Sequence, residues 1–217
     1  MKVVVHLQLA LQTALLAIVF SAAGRAEDTD KADLSGRALQ AKIEYCKMCH
    51  GLSGQGYRGF VPMPRLAGQQ PEYLENQLRA FVERRRLNKY MYGVSHVLSP
   101  ATRTALVRHF RDLNPKPLGG APWGLVATGK TIYEDGVAET NVPACMACHG
   151  QEAKGQEAIP RLAGQLHDYI ISKLVNWTKE RGQDPVNPDT SVVMLPTSHN
   201  LTKSQIEAVA AYLSYLQ

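Results

Sequence analysis

The sequence predicts an all-α protein built as a tandem duplication, and three observations predict it. A hexapeptide of the pattern Cys-x-x-Cys-His-Gly occurs twice, at Cys46–Gly51 and Cys145–Gly150. A second hexapeptide, Pro-Arg-Leu-Ala-Gly-Gln, recurs letter for letter at Pro64–Gln69 and Pro160–Gln165. The apolar residues around these motifs recur at helical spacing, and no convincing strand appears.

Residues 1–26 read as a secretory leader. Lys2 supplies the charge, Ala10 to Phe20 the apolar run, and Ser21-Ala22-Ala23-Gly24-Arg25-Ala26 the small residues for cleavage. The run is too short for a spanning helix. Removing Lys2 and Arg25 from 24 Lys+Arg leaves 22 against 19 Asp+Glu. So small an excess gives no argument for nucleic acid. The expected location is the periplasm, reached through the leader.

Leu39 and Ile43 lie four apart in a helix leading into Cys46, and Val126, Ile132 and Tyr133 mark its counterpart. Pro71 to Arg84 carries Leu74, Leu78 and Phe81 at helical spacing, and His167 to Lys179 carries Ile170, Leu174 and Trp177. Ser99-Pro100 opens a helix to about Asp112, with a capping side chain followed by proline at the first position. Thr202-x-x-Gln205 is a capping box opening the last helix, with Ile206, Val209, Ala210 and Leu213 on one face. The expected domains are 27–115 and 123–217, joined by a Pro/Gly linker at 116–122. Each has under about 100 residues, a marginal core unless a large apolar group completes it.

Cys-x-x-Cys-His is the attachment signature of c-type haem. Two thiols three positions apart on one helical turn each form a thioether to one edge of the porphyrin. The next His points its imidazole at the iron. The two motifs, Cys46 with Cys49 and Cys145 with Cys148, use all four cysteines of the chain. A thioredoxin-like pair needs no His directly after it, and a zinc site favours closer pairs. Two covalent haem c groups are therefore expected, each at the centre of one half.

His50 and His149 fill one axial position each. The other decides the chemistry, because an open position binds substrates and a filled one favours electron transfer. Met91 and Met194 occupy equivalent places, each on an expected loop before the last helix of its half, and each is followed at matching distances by Ser-His and Leu. They are the expected sixth ligands. The rival pair is His96 and His199, which also repeat and would give irons of lower potential. His109 and His167 read as surface. Arg84-Arg85-Arg86 reads as a solvated helix end, with a docking patch as the alternative. Arg65 and Arg161 are candidate propionate partners because they repeat.

Together the paired Cys-x-x-Cys-His-Gly motifs, the paired Pro-Arg-Leu-Ala-Gly-Gln elements, the two Met segments and Gly129-Lys130-Thr131-Ile132-Tyr133 make the chain resemble the di-haem cytochrome c4 family over essentially its whole mature length. The resemblance implies two class I cytochrome c domains about a pseudo-twofold axis, with haem edges close enough for electrons to pass. It also implies that the backbone near Pro64 and Pro160 accepts a hydrogen bond from the ligand His, which sets its tautomer.

The expected function is electron carriage rather than catalysis, in a respiratory chain. The expected partners are a quinol-oxidising complex or dehydrogenase as donor and a terminal oxidase or similar acceptor. Peripheral membrane association and a monomer or homodimer both fit. One alternative is an electron-transfer subunit of a sulfide- or alcohol-oxidising dehydrogenase complex. Another is a di-haem enzyme, a peroxidase or thiosulfate dehydrogenase, which would need an open iron.

Overall fold

The computed structural model of the chain describes residues 36–181 and 190–217. The leader at 1–26 lies outside the described residues. Among them the secondary structure is helical, and strand geometry is limited to three isolated bridges: Tyr57 with Met63, Val137 with Val142, and Gln156 with Ile159.

In the first half, α1 (Gly36–His50) carries the whole first Cys-x-x-Cys-His motif in its last turns. It is followed by α2 (Pro71–Val82), α3 (Lys89–Ser95) and α4 (Pro100–Arg111). In the second half, α5 (Val126–Asp135) is separated by a loop from the short α6 (Met146–His149). Then come α7 (His167–Val175), α8 (Trp177–Glu180), α9 (Met194–Asn200) and α10 (Lys203–Tyr215).

The caps read from the sequence form. Thr102 N–H donates to Ser99 Oγ at 3.2 Å, with Pro100 at the first helical position. The box at α10 closes both ways, Gln205 N–H to Thr202 Oγ1 at 3.3 Å and Thr202 N–H to Gln205 Oε1 at 2.8 Å.

Two expectations need correction. The helix expected over His167 to Lys179 breaks at Asn176 (φ −104°, ψ 18°). Its side chain donates to Ser172 O at 3.0 Å, a local bond that competes with helix continuation. Met91 and Met194 lie in short helices, α3 and α9, rather than on loops. Asn88, an unforeseen cap accepting from Met91 N–H at 3.0 Å, starts the first of these.

The second half has one continuous core, in which α10 crosses α5 and covers α7. Ile132, Tyr133, Ile170, Ile206, Val209 and Leu213 meet there. The crossing is close because Gly129 has no Cβ; one would collide with the backbone of Ala208. The first half has two smaller clusters, Ile43 with Leu98 and Leu106, and Leu74 with Val107 and Phe110. Both touch the half-buried Cys46 and Leu78.

The halves are joined through the repeated hexapeptide. Arg161 N–H donates to Gln69 Oε1 at 2.7 Å, and Gln69 Nε2 donates to Arg161 O at 3.0 Å. The mirror pair is Arg65 N–H to Gln165 Oε1 at 2.8 Å and Gln165 Nε2 to Arg65 O at 3.1 Å. Each glutamine amide thus acts like a strand partner for one backbone unit of the other half. All four residues are buried, so the bonds satisfy groups that water cannot reach.

Candidate haem centres

Helical geometry places each cysteine pair. Cys46 and Cys49 stand one turn apart at the end of α1, and Cys145 and Cys148 flank the start and body of α6. None is in a disulfide; Cys46 and Cys145 are half-buried, while Cys49 and Cys148 are exposed. Burial pushes the thiols of Cys46 and Cys145 up to about 11.

His50 and His149 are buried, 7% and 6% exposed. Their Nδ1 atoms donate to Pro64 O at 2.8 Å and Pro160 O at 3.0 Å, the bonds that the family resemblance implies. A donated Nδ1–H leaves Nε2 with its lone pair, the tautomer a metal ligand needs. Desolvation holds both imidazoles below the usual histidine range, opposed by the carbonyl bonds. The neutral ring is therefore the resting form. Two loops set these carbonyls in place. Leu66 N–H and Ala67 N–H both donate to Gly54 O at 2.8 and 3.0 Å, and Leu162 N–H and Ala163 N–H donate to Ala153 O at 2.7 and 2.9 Å.

Met91 and Met194 are both half-buried, on helices that pack against α2 and α7 respectively. His96 and His199 are exposed and engaged elsewhere. His96 Nδ1 donates to Tyr92 O at 3.0 Å, and His199 Nε2 pairs with Thr178 Oγ1 at 2.8 Å. The serines before them, Ser95 and Ser198, are the buried members of the Ser-His repeat.

The residues fit a haem's carboxylates as well as its iron. Arg65 and Arg161 are 3% and 7% exposed. Their Nε atoms donate to Ala67 O and Ala163 O, both at 3.0 Å. Arg65 Nη1, Arg161 Nη2 and the Trp177 indole N–H are buried and without a partner among the described residues. Burial, and then the charge of Arg161, pulls the Arg65 guanidinium down to about 10. A buried guanidinium is costly unless it is paired, and each haem would bring two carboxylates.

A second polar cluster between the halves was not foreseen. Arg86, expected in a solvated helix end, is 8% exposed. It donates to Gln77 Oε1 and Tyr169 Oη, each at 2.7 Å, while Arg181 Nη1 donates to the same Gln77 oxygen at 2.8 Å. The signal available in the sequence was the repeat of Tyr73 and Tyr169 behind the shared hexapeptide. His109 and His167, expected at the surface, are half-buried.

The Cytochrome c family profile matches residues 35–112 and 126–217. A "Cytochrome c-552" of Acidithiobacillus ferridurans is 36% identical over 180 residues, covering 79% of this chain and 73% of that protein. A "Thiosulfate dehydrogenase electron acceptor" of Thiomonas intermedia (strain K12) is 34% identical, covering 84% of this chain and 83% of the other. The solved cytochrome c4 of Acidithiobacillus ferrooxidans has 36% identity and a TM-score of 0.67, over 80% of this chain and 99% of that one.

Proposed function

The chain belongs to the cytochrome c family as a di-haem, cytochrome c4-like electron carrier, and on that premise we propose its place and its ligands. It carries single electrons in the periplasm, from a dehydrogenase or a quinol-oxidising complex to a terminal oxidase or similar acceptor. The name of the Thiomonas relative, an electron acceptor of thiosulfate dehydrogenase, supports a dehydrogenase as donor. His50 with Met91 and His149 with Met194 would hold the two irons, and 27–115 and 123–217 would be the domains.

When bound, each haem supplies a one-electron Fe(III)/Fe(II) couple. The chain's own residues set its conditions. Pro64 O and Pro160 O hold the imidazole tautomers and raise ligand basicity. The burial of His50 and His149 excludes water from the proximal side. Met91 and Met194 would supply the thioether ligands, which raise a haem's potential. Arg65 and Arg161 hold carboxylates between the halves.

The observation that carries the ligand reading is the contrast within each repeat: methionine half-buried, histidine exposed and bonded to its own half. The test is a redox titration followed by absorbance. Two one-electron waves with a Met–iron charge-transfer band in the oxidised protein are expected. Met91→His should remove about half of the band and lower one wave, within the ~0.8 V over which axial ligands tune haems. Met194→His should do the same to the other. A band untouched by either change overturns the assignment.

A further inference from the structure

The two halves differ in charge far more than their shared ancestry suggests. Residues 27–115 carry 14 Lys+Arg against 9 Asp+Glu, and residues 123–217 carry 7 against 10. Leaving out the buried Arg65 and Arg86 of the first half, and Arg161 and Arg181 of the second, the counts are 12 against 9 and 5 against 10. The molecule is therefore polar from end to end.

The positive end has a built face beside Met91. Arg84 stands two residues beyond α2 with φ +60°, the left-handed position where glycine is favoured. Its guanidinium lies over the Tyr92 ring, 3.7 Å from the centroid. Tyr92 stacks on His96 at 5.2 Å, with 9° between the planes. Lys89, Tyr92 and His96 fall at i, i+3 and i+7 on one side of α3, and Lys89 Nζ lies 5.0 Å from the ring centre of Tyr90. Tyr90 and Val97 are 73% and 62% exposed. Nothing in α3 is acidic, and the nearby Glu83 pairs with Arg85. The same stretch in the second half, Met194–Asn200, has no Lys, Arg, Asp, Glu, Tyr, Phe or Trp.

Resting on the carrier reading above, we propose that this face of the first half, Arg84, Lys89, Tyr90, Tyr92, His96 and Val97, is the docking surface for a redox protein with an acidic face. Exposed tyrosine and arginine are the side chains that anchor interfaces. The cations steer an acidic partner onto them and set orientation more than affinity. The left-handed Arg84 is a strained backbone position for a residue with a Cβ, and it keeps a cation stacked over the Tyr92 ring. The second half, with its excess of acids, would turn away from such a partner, so exchange with it runs through the first haem.

The test adsorbs the di-haem protein on gold coated with a carboxylate-terminated monolayer, with a hydroxyl-terminated monolayer as control. The voltammetric wave reads coverage and electron exchange together. The wild type should adsorb on the carboxylate layer alone and be released as salt rises through about 0.15 M, where the Debye length falls to about 8 Å. Lys89→Glu with Arg84→Asn, Asn being tolerated at left-handed φ, should lower coverage about tenfold. Arg108→Glu with Arg111→Asn makes the same charge change on exposed positions at the far end of α4. It should leave coverage within about twofold. Equal losses in the two variants would overturn the docking face, leaving only net charge. Solution redox titrations keep the two readings apart. Two intact waves in every variant leave the carrier reading standing if the face fails; loss of a wave in the wild type would remove the carrier reading itself.

Discussion

At Arg65 and Arg161 one residue serves the fold and, on the proposed reading, the cofactor at once. Each backbone is clamped by a glutamine of the other half, and each guanidinium ends in a buried nitrogen without a protein partner. Removing a unit charge about 10 Å from an iron, at an effective dielectric near 20, is worth roughly 1–2 kcal/mol. Arg65→Gln or Arg161→Gln should therefore lower a haem potential by tens of millivolts, because the lost cation no longer disfavours Fe(III). A potentiometric titration checks this, and unchanged potentials would place the haem carboxylates elsewhere. The repeat made both arginines legible as candidates. Arg86 was not legible, because it stands in a run of three arginines that the sequence does not tell apart, and only the partner Tyr169 from the other half shows why it is buried.

At the scale of the element, helix starts were more legible than helix interiors. Ser99 and Thr202 announce helices by chemistry confined to four residues, so the sequence contains the whole cause. Thr202→Ala should cost about 1 kcal/mol of stability, read as a shift of the urea midpoint. Asn176 breaks its helix by an equally local bond, yet asparagine inside an apolar period gives no warning of the choice. Gly129 is a sharper case. Its neighbour Ala208 is distant in sequence, and the contact is backbone against Cβ. Gly129→Ala should push α5 from α10 and destabilise the second half by a few kcal/mol, in the range of overpacked cores. The loss of that half's cooperative transition before the first half's would show the effect to be local.

At the scale of the molecule, the two halves form a pair through reciprocal bonds. Gln69→Ala would leave Arg161 N–H and C=O buried and unpaired, at about 1–3 kcal/mol each. Gln165→Ala would do the same at Arg65. Each change should lower the urea midpoint of the whole protein, and the double change should cost roughly the sum if the clamps are independent. Large non-additivity would show that one clamp orders the other.

The chain's order of residues was enough to determine the duplication, the helical class and the two haem attachments, because each rests on spacing within a few residues or on exact repetition. The exposure of His96 and His199, the burial of Arg86, the short helices bearing Met91 and Met194 and the glutamine clamps were decided only by tertiary structure. Those features depend on which distant backbone or ring arrives beside a side chain, and on whether water is displaced when it does. Letter-for-letter repetition marked Gln69 and Gln165 as special, but a repeat is silent about whether its copies face their own half or each other.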